Sequence, residues 1–321
     1  MSTFVQRTNL PDRASGGAAL GFVGSVGIRR VSAALADRFT VLKQLAGSQS
    51  AEFYLARPVS NGQGLVKIKV LAPRAACDFR RRELFRLEAR AASKLDHGSI
   101  VRTSEAVEID GINLCVIEHR PWVETLRDLL QRRGWLELDH AARIINQIAS
   151  AVSHAHRSGV LHLRLTPENI LIEPNGHVLV IDFGIDAGDE MAWAHRERSL
   201  GLTASYMSVE QMLNQALDHR SDIYALGLLL YEMLTDRVPF DSCDTDYLKR
   251  QRATHSPLPP YILSTGVAPA VSDIVMDLLE RDPAKRPCRA ELLQSSLADV
   301  LNASAEAAAA GADNLTMKAA R

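Results

Sequence analysis

HLRLTPENILI, His162 to Ile172, and VIDFG, Val180 to Gly184, decide how this chain reads. A polar loop bearing Asn169 runs into an apolar strand, and a second apolar run shortly after it ends in Asp182. In the middle of the loop stands Arg164. Its guanidinium keeps its proton to a pKa above about 12, so it cannot act as a base. Whether the loop carries chemistry or only binding turns on that residue.

Outward from the loop, 321 residues suffice for one large domain or two small ones. A formal net charge of −1 gives no bulk field toward nucleic acid or a membrane surface. Cys77, Cys115, Cys243 and Cys288 are scattered, with no C-x-x-C pair for a metal and no dense framework for a secreted fold, so a cytoplasmic setting is expected. The most apolar run, Ile223 to Leu234, is shorter than the roughly 18 residues of a membrane span and contains Glu232. It reads as a buried helix. Ala18 to Ile28 is glycine-rich, and Arg29 and Arg30 follow it where a signal peptide would have them first. Residues 1–37 are expected as a flexible arm and the alanine-rich residues 298–321 as a flexible tail, leaving 38–297 as the folded unit.

From Phe39 the chain gives short β-branched runs, FTVLKQL, AEFYLAR, LVKIKVL, VRTSEAVEI and NLCVIEH, separated by turn signals such as AGSQS and DGIN. One helix interrupts them: in FRRRELFRLEARAASKL, Phe85, Glu88, Ala92 and Leu95 share a face. A carboxylate on that apolar stripe is costly unless a cation meets it. After Glu124 helices dominate. DHAARIINQIASAVSHAHRSG places Ile145, Ile148, Val152 and Ala155 on one side, with Asp139 as N-cap and Gly159 as stop. Further helices are expected from Ile223, from Tyr247 and over Ala270 to Leu279. The pattern is α+β: a small β-rich half (about 38–118), a hinge (118–121) and a larger helical half (about 122–297) with a cleft between them.

VKIK with Lys69, Glu88 nineteen residues on, the loop from His162 to Asn169, Asp182-Phe183-Gly184, LTASYMSVEQ with Glu210, Asp222 and RDPAKRP with Arg286 together resemble the Hanks-type Ser/Thr protein kinases, bacterial members above all. The likeness covers nearly the whole folded part in the right order. It implies the bilobal protein-kinase fold, and an ion pair between Lys69 and Glu88 that explains the carboxylate on the helix. It also implies ATP in the cleft, with Ala46, Ser48, Ala51, Phe53, Lys67, Lys69, Glu118 and Leu171 at nucleotide positions and magnesium on Asn169 and Asp182. His162, Phe183, Glu210, Asp222 and Arg286 fall at structural positions.

Against that pattern the chemistry is altered. Arg164 stands at the catalytic aspartate and Thr166 at the loop lysine. Ala46, Ser48 and Ala51 replace the three glycines that let backbone N–H groups approach phosphates. Phe53 and Lys67 replace the small apolar roof over the adenine and are expected to crowd or polarise it. Leu163 replaces the arginine that meets an activation-segment phosphate; Ser199 is the only hydroxyl between Gly184 and Leu202. Leu202, Ala204 and Val209 depart from the peptide-docking pattern.

These losses favour a pseudokinase that regulates or scaffolds a protein partner such as a kinase or phosphatase, with ordinary use of ATP and magnesium in doubt. SCDTDYLKRQRATHSPLPPYIL, Ser242 to Leu263, is a candidate docking segment. A divergent active Ser/Thr kinase and a nucleotide sensor are the alternatives. Arg164 either pairs with Asp182 in place of magnesium or points to solvent.

Overall fold

Alternation along the first strands sets both faces of the small lobe. In this computed structural model the described residues are 27–302 apart from 46, 48–49, 61–63, 184, 187–203 and 243, with the backbone alone at 185–186. Five antiparallel strands, β1 (Phe39–Leu45), β2 (Ala51–Pro58), β3 (Val66–Leu71), β4 (Val107–Ile109) and β5 (Ile112–Glu118), form one sheet in the order β1-β2-β3-β5-β4. Tyr54, Ala56, Ile68, Val70, Ile112 and Leu114 bury on one side. With period two, Lys67 and Lys69 go to the other, where they line the cleft.

The first side is covered by a helix, α1 (Ile28–Leu35), whose Val31 and Leu35 are buried in the same cluster. The expectation of a flexible arm through residue 37 is therefore corrected for this part. An apolar sheet face left in water is unfavourable, and burying Val31 and Leu35 contributes roughly 1.5–3 kcal/mol each. VRTSEAVEI is corrected too: only Val107–Ile109 is strand, while Thr103 makes an isolated bridge to Ile117 and the Ser104 N–H donates to the Val116 carbonyl at 2.8 Å.

Beneath the sheet lies α2 (Phe79–Ser93), N-capped by Asp78, which buries Phe85, Ala89 and Ala92. In the large lobe, α3 (Leu126–Arg133) starts at a capping box of Thr125 and Asp128. Helix α4 (Leu138–Arg157) buries Ile145, Ile148, Val152 and Ala155 completely. Its N-cap is Glu137, with Asp139 in the first turn, and Gly159 at φ 71° takes the chain out of the helix. The hub is α5 (His219–Thr235), buried along nearly its whole length. α6 (Thr245–Thr254) follows, and Arg252 on it donates to the carbonyls of Ser205 and Met207. A Cβ on Gly227 would stand 2.8 Å from the Leu278 Cβ of α7 (Pro269–Leu278), so glycine sets that helix contact. A last helix over residues 291–302 buries Leu293 and Leu297, which carries the folded part past residue 297. Among the described residues no helix is long and apolar enough to cross a membrane.

Short strands position the cleft floor. β6 (Glu124–Thr125), β8 (Ile170–Ile172) and β9 (Val178–Val180) form one small sheet, and β7 (Val160–Leu161) pairs with β10 (Ile185–Asp186). Ile170 opposite Val180 lays the end of HLRLTPENILI beside VIDFG.

Candidate active site

Between β7 and β8 the loop is held from below by one carboxylate. Asp222, fully buried near the start of α5, accepts hydrogen bonds from the N–H groups of His162 at 2.9 Å and Leu163 at 2.7 Å, and lies 2.8 Å from His156 Nε2. Burial alone would raise its pKa, yet these hydrogen bonds, His156 first, hold it below the usual carboxylate range. The same anchoring fixes Leu163 in the left-handed region at φ 56°, which no glycine relieves. Gln211 Nε2 donates to the Leu163 carbonyl at 2.9 Å from above.

His162 is fully buried, and burial pushes its pKa down to about 4. Its Nδ1 accepts the Arg164 N–H at 3.2 Å and its Nε2 lies 3.0 Å from the Ile181 carbonyl, so the neutral ring with the proton on Nε2 satisfies both. The ring meets Phe183 edge-on at 4.5 Å between centroids. Loop and VIDFG thus share one rigid junction, completed by the Ile181 N–H donating to the Asn169 carbonyl at 3.0 Å.

Above that junction stands Arg164. Its Nη2 donates to Asp182 Oδ2, while Lys69 Nζ sits 3.7 Å from Asp182 Oδ1. Asp182 itself takes φ 68°. Burial disfavours a charged Lys69, but the charges of Asp182 and then Glu88 outweigh it and leave its pKa raised. Asn169 Nδ2 donates to the Arg164 carbonyl at 2.9 Å, and Thr166 is buried within the loop. Asp182 and Asn169 are oxygen donors of the kind magnesium takes, but here a guanidinium and an ammonium flank the carboxylate and occupy the charge position of a dication. The residues present do not fit a magnesium ion. Of the two options for Arg164, pairing with Asp182 is the one observed.

The roof differs from the expectation in part. Phe53 pairs with Lys69 and Leu55 with Lys67 in the register of β2 and β3. Lys67 folds its Nζ over the Phe53 ring at 5.5 Å from the centroid, a cation–π contact, instead of filling the slot. A cavity of about 370 Å³ stays open, lined by Leu45, Phe53, Ile117, Val123 and Leu171 among others. Crowding is absent. Polarisation is present: Lys67 lines that cavity, and burial lowers its pKa against the pull of Asp182. Glu118 ends β5, and its Oε1 pairs with Arg120 Nη2 at 2.9 Å, with Glu173 Oε1 3.7 Å from Arg120 Nη1. Ala51 is buried at the start of β2; Ala46, Ser48, Gly184, Ser199 and Leu202 lie outside the described residues.

In the large lobe, Arg286 grips Glu210 with two hydrogen bonds of 2.7 and 2.9 Å, and Ser221 Oγ donates to Glu210 at 2.7 Å. Sequence reasoning missed a second cluster. Arg127 donates to Glu168 at 2.8 Å, to Glu232 at 2.6 Å and to the Tyr206 hydroxyl at 2.6 Å, and that hydroxyl donates to Glu232. These residues are far apart in the chain and carry no shared pattern. Gln211 had a local signal, the Ser208–Gln211 capping box, but nothing local pointed to Leu163.

A family model described as "Protein kinase domain" matches residues 39–298. The chain is 31% identical over 277 residues to the Serine/threonine-protein kinase pkn3 of Myxococcus xanthus, covering 83% of this chain and 50% of that protein. It is 33% identical over 272 residues to the Serine/threonine-protein kinase PrkC of Bacillus subtilis (strain 168), covering 84% of this chain and 41% of that one. The chain thus spans half or less of the curated relatives it matches. Among solved structures, the Mycobacterium tuberculosis PknI kinase domain superposes with a TM-score of 0.64 at 22% identity, over 81% of this chain and 95% of that one. That likeness shows the fold, and the family match shows the kinship: the chain belongs to the protein kinase family, in its Hanks-type bacterial Ser/Thr branch.

Proposed function

We propose that this chain is a pseudokinase, a kinase-shaped module that regulates or scaffolds a protein partner and has weak or no phosphotransfer. The observation that carries the reading is the Arg164 guanidinium seated on Asp182. Phosphoryl transfer on this fold asks for an acceptor that orients the substrate hydroxyl, a metal bridging the phosphates and a cation on the leaving charge. Here a permanent cation stands in the acceptor position, and Thr166 is buried where a lysine would reach out. Loss of positioned base help alone costs about 10²- to 10⁴-fold in rate. The partner in this reading is a signalling protein such as a kinase or phosphatase, and the setting is the cytoplasm.

One observation favours a second reading. Lys69 stays beside Asp182 at 3.7 Å, which supports a divergent active Ser/Thr kinase working by positioning and electrostatics alone. Transfer of label from γ-labelled ATP to the chain itself and to a basic protein substrate separates the two. The wild type is expected to give no more product than Lys69→Ala or Asp182→Asn. Product that disappears in both variants would establish the active kinase instead.

A further inference from the structure

We infer that the cleft takes a nucleoside di- or triphosphate free of divalent metal, with Arg164, Lys69 and Lys67 supplying the positive charge that a metal ion would bring. This rests on the reading of Arg164 as a resident of the metal position.

The charges at the inner end of the cleft carry the inference. Lys69 and Arg164 flank the two oxygens of Asp182, and Lys67 is close enough for Asp182 to oppose the effect of burial on its charge. Against these three cations stand the carboxylates of Asp182 and Glu88; Glu118, farther out, is matched by Arg120. The inner group therefore holds one positive charge more than negative before a ligand enters. Lys67 is the exposed weakness: its ammonium rests on the Phe53 ring, and burial disfavours its charge. A phosphate oxygen beside it would restore what burial removes.

The outer half supplies the other requirement. The whole cleft, charged end included, encloses about 370 Å³, within the range that holds a small ligand, and Leu45, Phe53, Ile117, Val123 and Leu171 give it apolar walls. Apolar walls, polarised only where Lys67 rests on Phe53, and a cationic end suit a base joined to a polyphosphate. Metal is superfluous or harmful in such a site. A divalent ion riding on the phosphates lowers their charge and meets Arg164 where it would need Asp182.

Calorimetric titration of the full chain with ADP, first in EDTA and then in excess magnesium, tests this. ADP is expected to bind in EDTA and to bind severalfold more weakly with magnesium, while adenosine binds weakly and equally in both. Arg164→Asp should lose about tenfold or more of the ADP affinity in EDTA and recover it when magnesium is added. Lys67→Ala, which leaves Asp182 and the loop untouched, should show the EDTA loss by itself if Arg164→Asp fails to fold. ADP binding that requires magnesium in the wild type, or no ADP binding in EDTA, would overturn the inference. Either result leaves the phosphotransfer reading standing, because that is measured by label transfer alone.

Discussion

Two aspartates that touch the same loop differ in what surrounds them. Asp222 is fully buried and receives three donors, all of which hold backbone or histidine in place. Asp182 is 34% exposed in its side chain and meets two cations, one of them Arg164. The first is a fastener that works with any chemistry above it. The second faces the cleft, and under the proposed function its Arg164 partner is what sets transfer aside. A fold and the chemistry placed on it are separable, and the two carboxylates differ in burial and in partners accordingly.

The comparison breaks most visibly at the buried fasteners. Glu210 and Arg286 have side chains 3% and 0% exposed, and removing one partner leaves a buried charge uncompensated. Arg286→Ala is expected to cost about 3–5 kcal/mol in urea unfolding. An effect under about 1 kcal/mol would mean that the framework side of the comparison is overdrawn.

Acid probes the same side. His162 has its pKa lowered from 6.5 to about 4, so between those values the unfolded chain binds a proton that the native chain refuses. Stability is full above pH 6.5 and falls as the pH drops toward 4, by about 3 kcal/mol from this residue. His97, His119 and His140 are also lowered, chiefly by burial, and add to the slope. The His162→Gln variant should therefore show a flatter decline than the wild type in unfolding measured from pH 7 to pH 4.

Smaller effects sharpen the edges. Leu35→Ala on α1 should cost about 2–3 kcal/mol, because the helix covers a sheet face that nothing else among the described residues covers. Arg164→Ala should change unfolding by only about 0–1 kcal/mol, since its side chain and that of Asp182 are 30% and 34% exposed. A large loss there would make Arg164 a structural fastener like Arg286.

Much of this was legible in the chain. Lys69, Glu88, His162, Asn169, Asp182, Asp222, Glu210 and Arg286 identified the fold in order, because each is tied to a local pattern of fixed spacing. The option of Arg164 pairing with Asp182 followed from charge and loop order alone. What stayed hidden depended on surfaces brought together by folding. IRRVSAAL has the spacing of an amphipathic helix, but the glycines before it and the unknown sheet face behind it concealed its place. Phe53 and Lys67 read as two bulky intruders; that one lies on the other is a matter of cross-strand register. Arg127, Tyr206 and Glu232 come from three separate elements and share no pattern that could announce them.

Arg164 in the metal position is tested most directly by a crystal structure of the chain grown with ADP and manganese, read in the anomalous difference map. The expected result is an Arg164 guanidinium on Asp182 with no manganese peak coordinated by that carboxylate. A manganese ion held between Asp182 and Asn169, with Arg164 turned out to solvent, would contradict it.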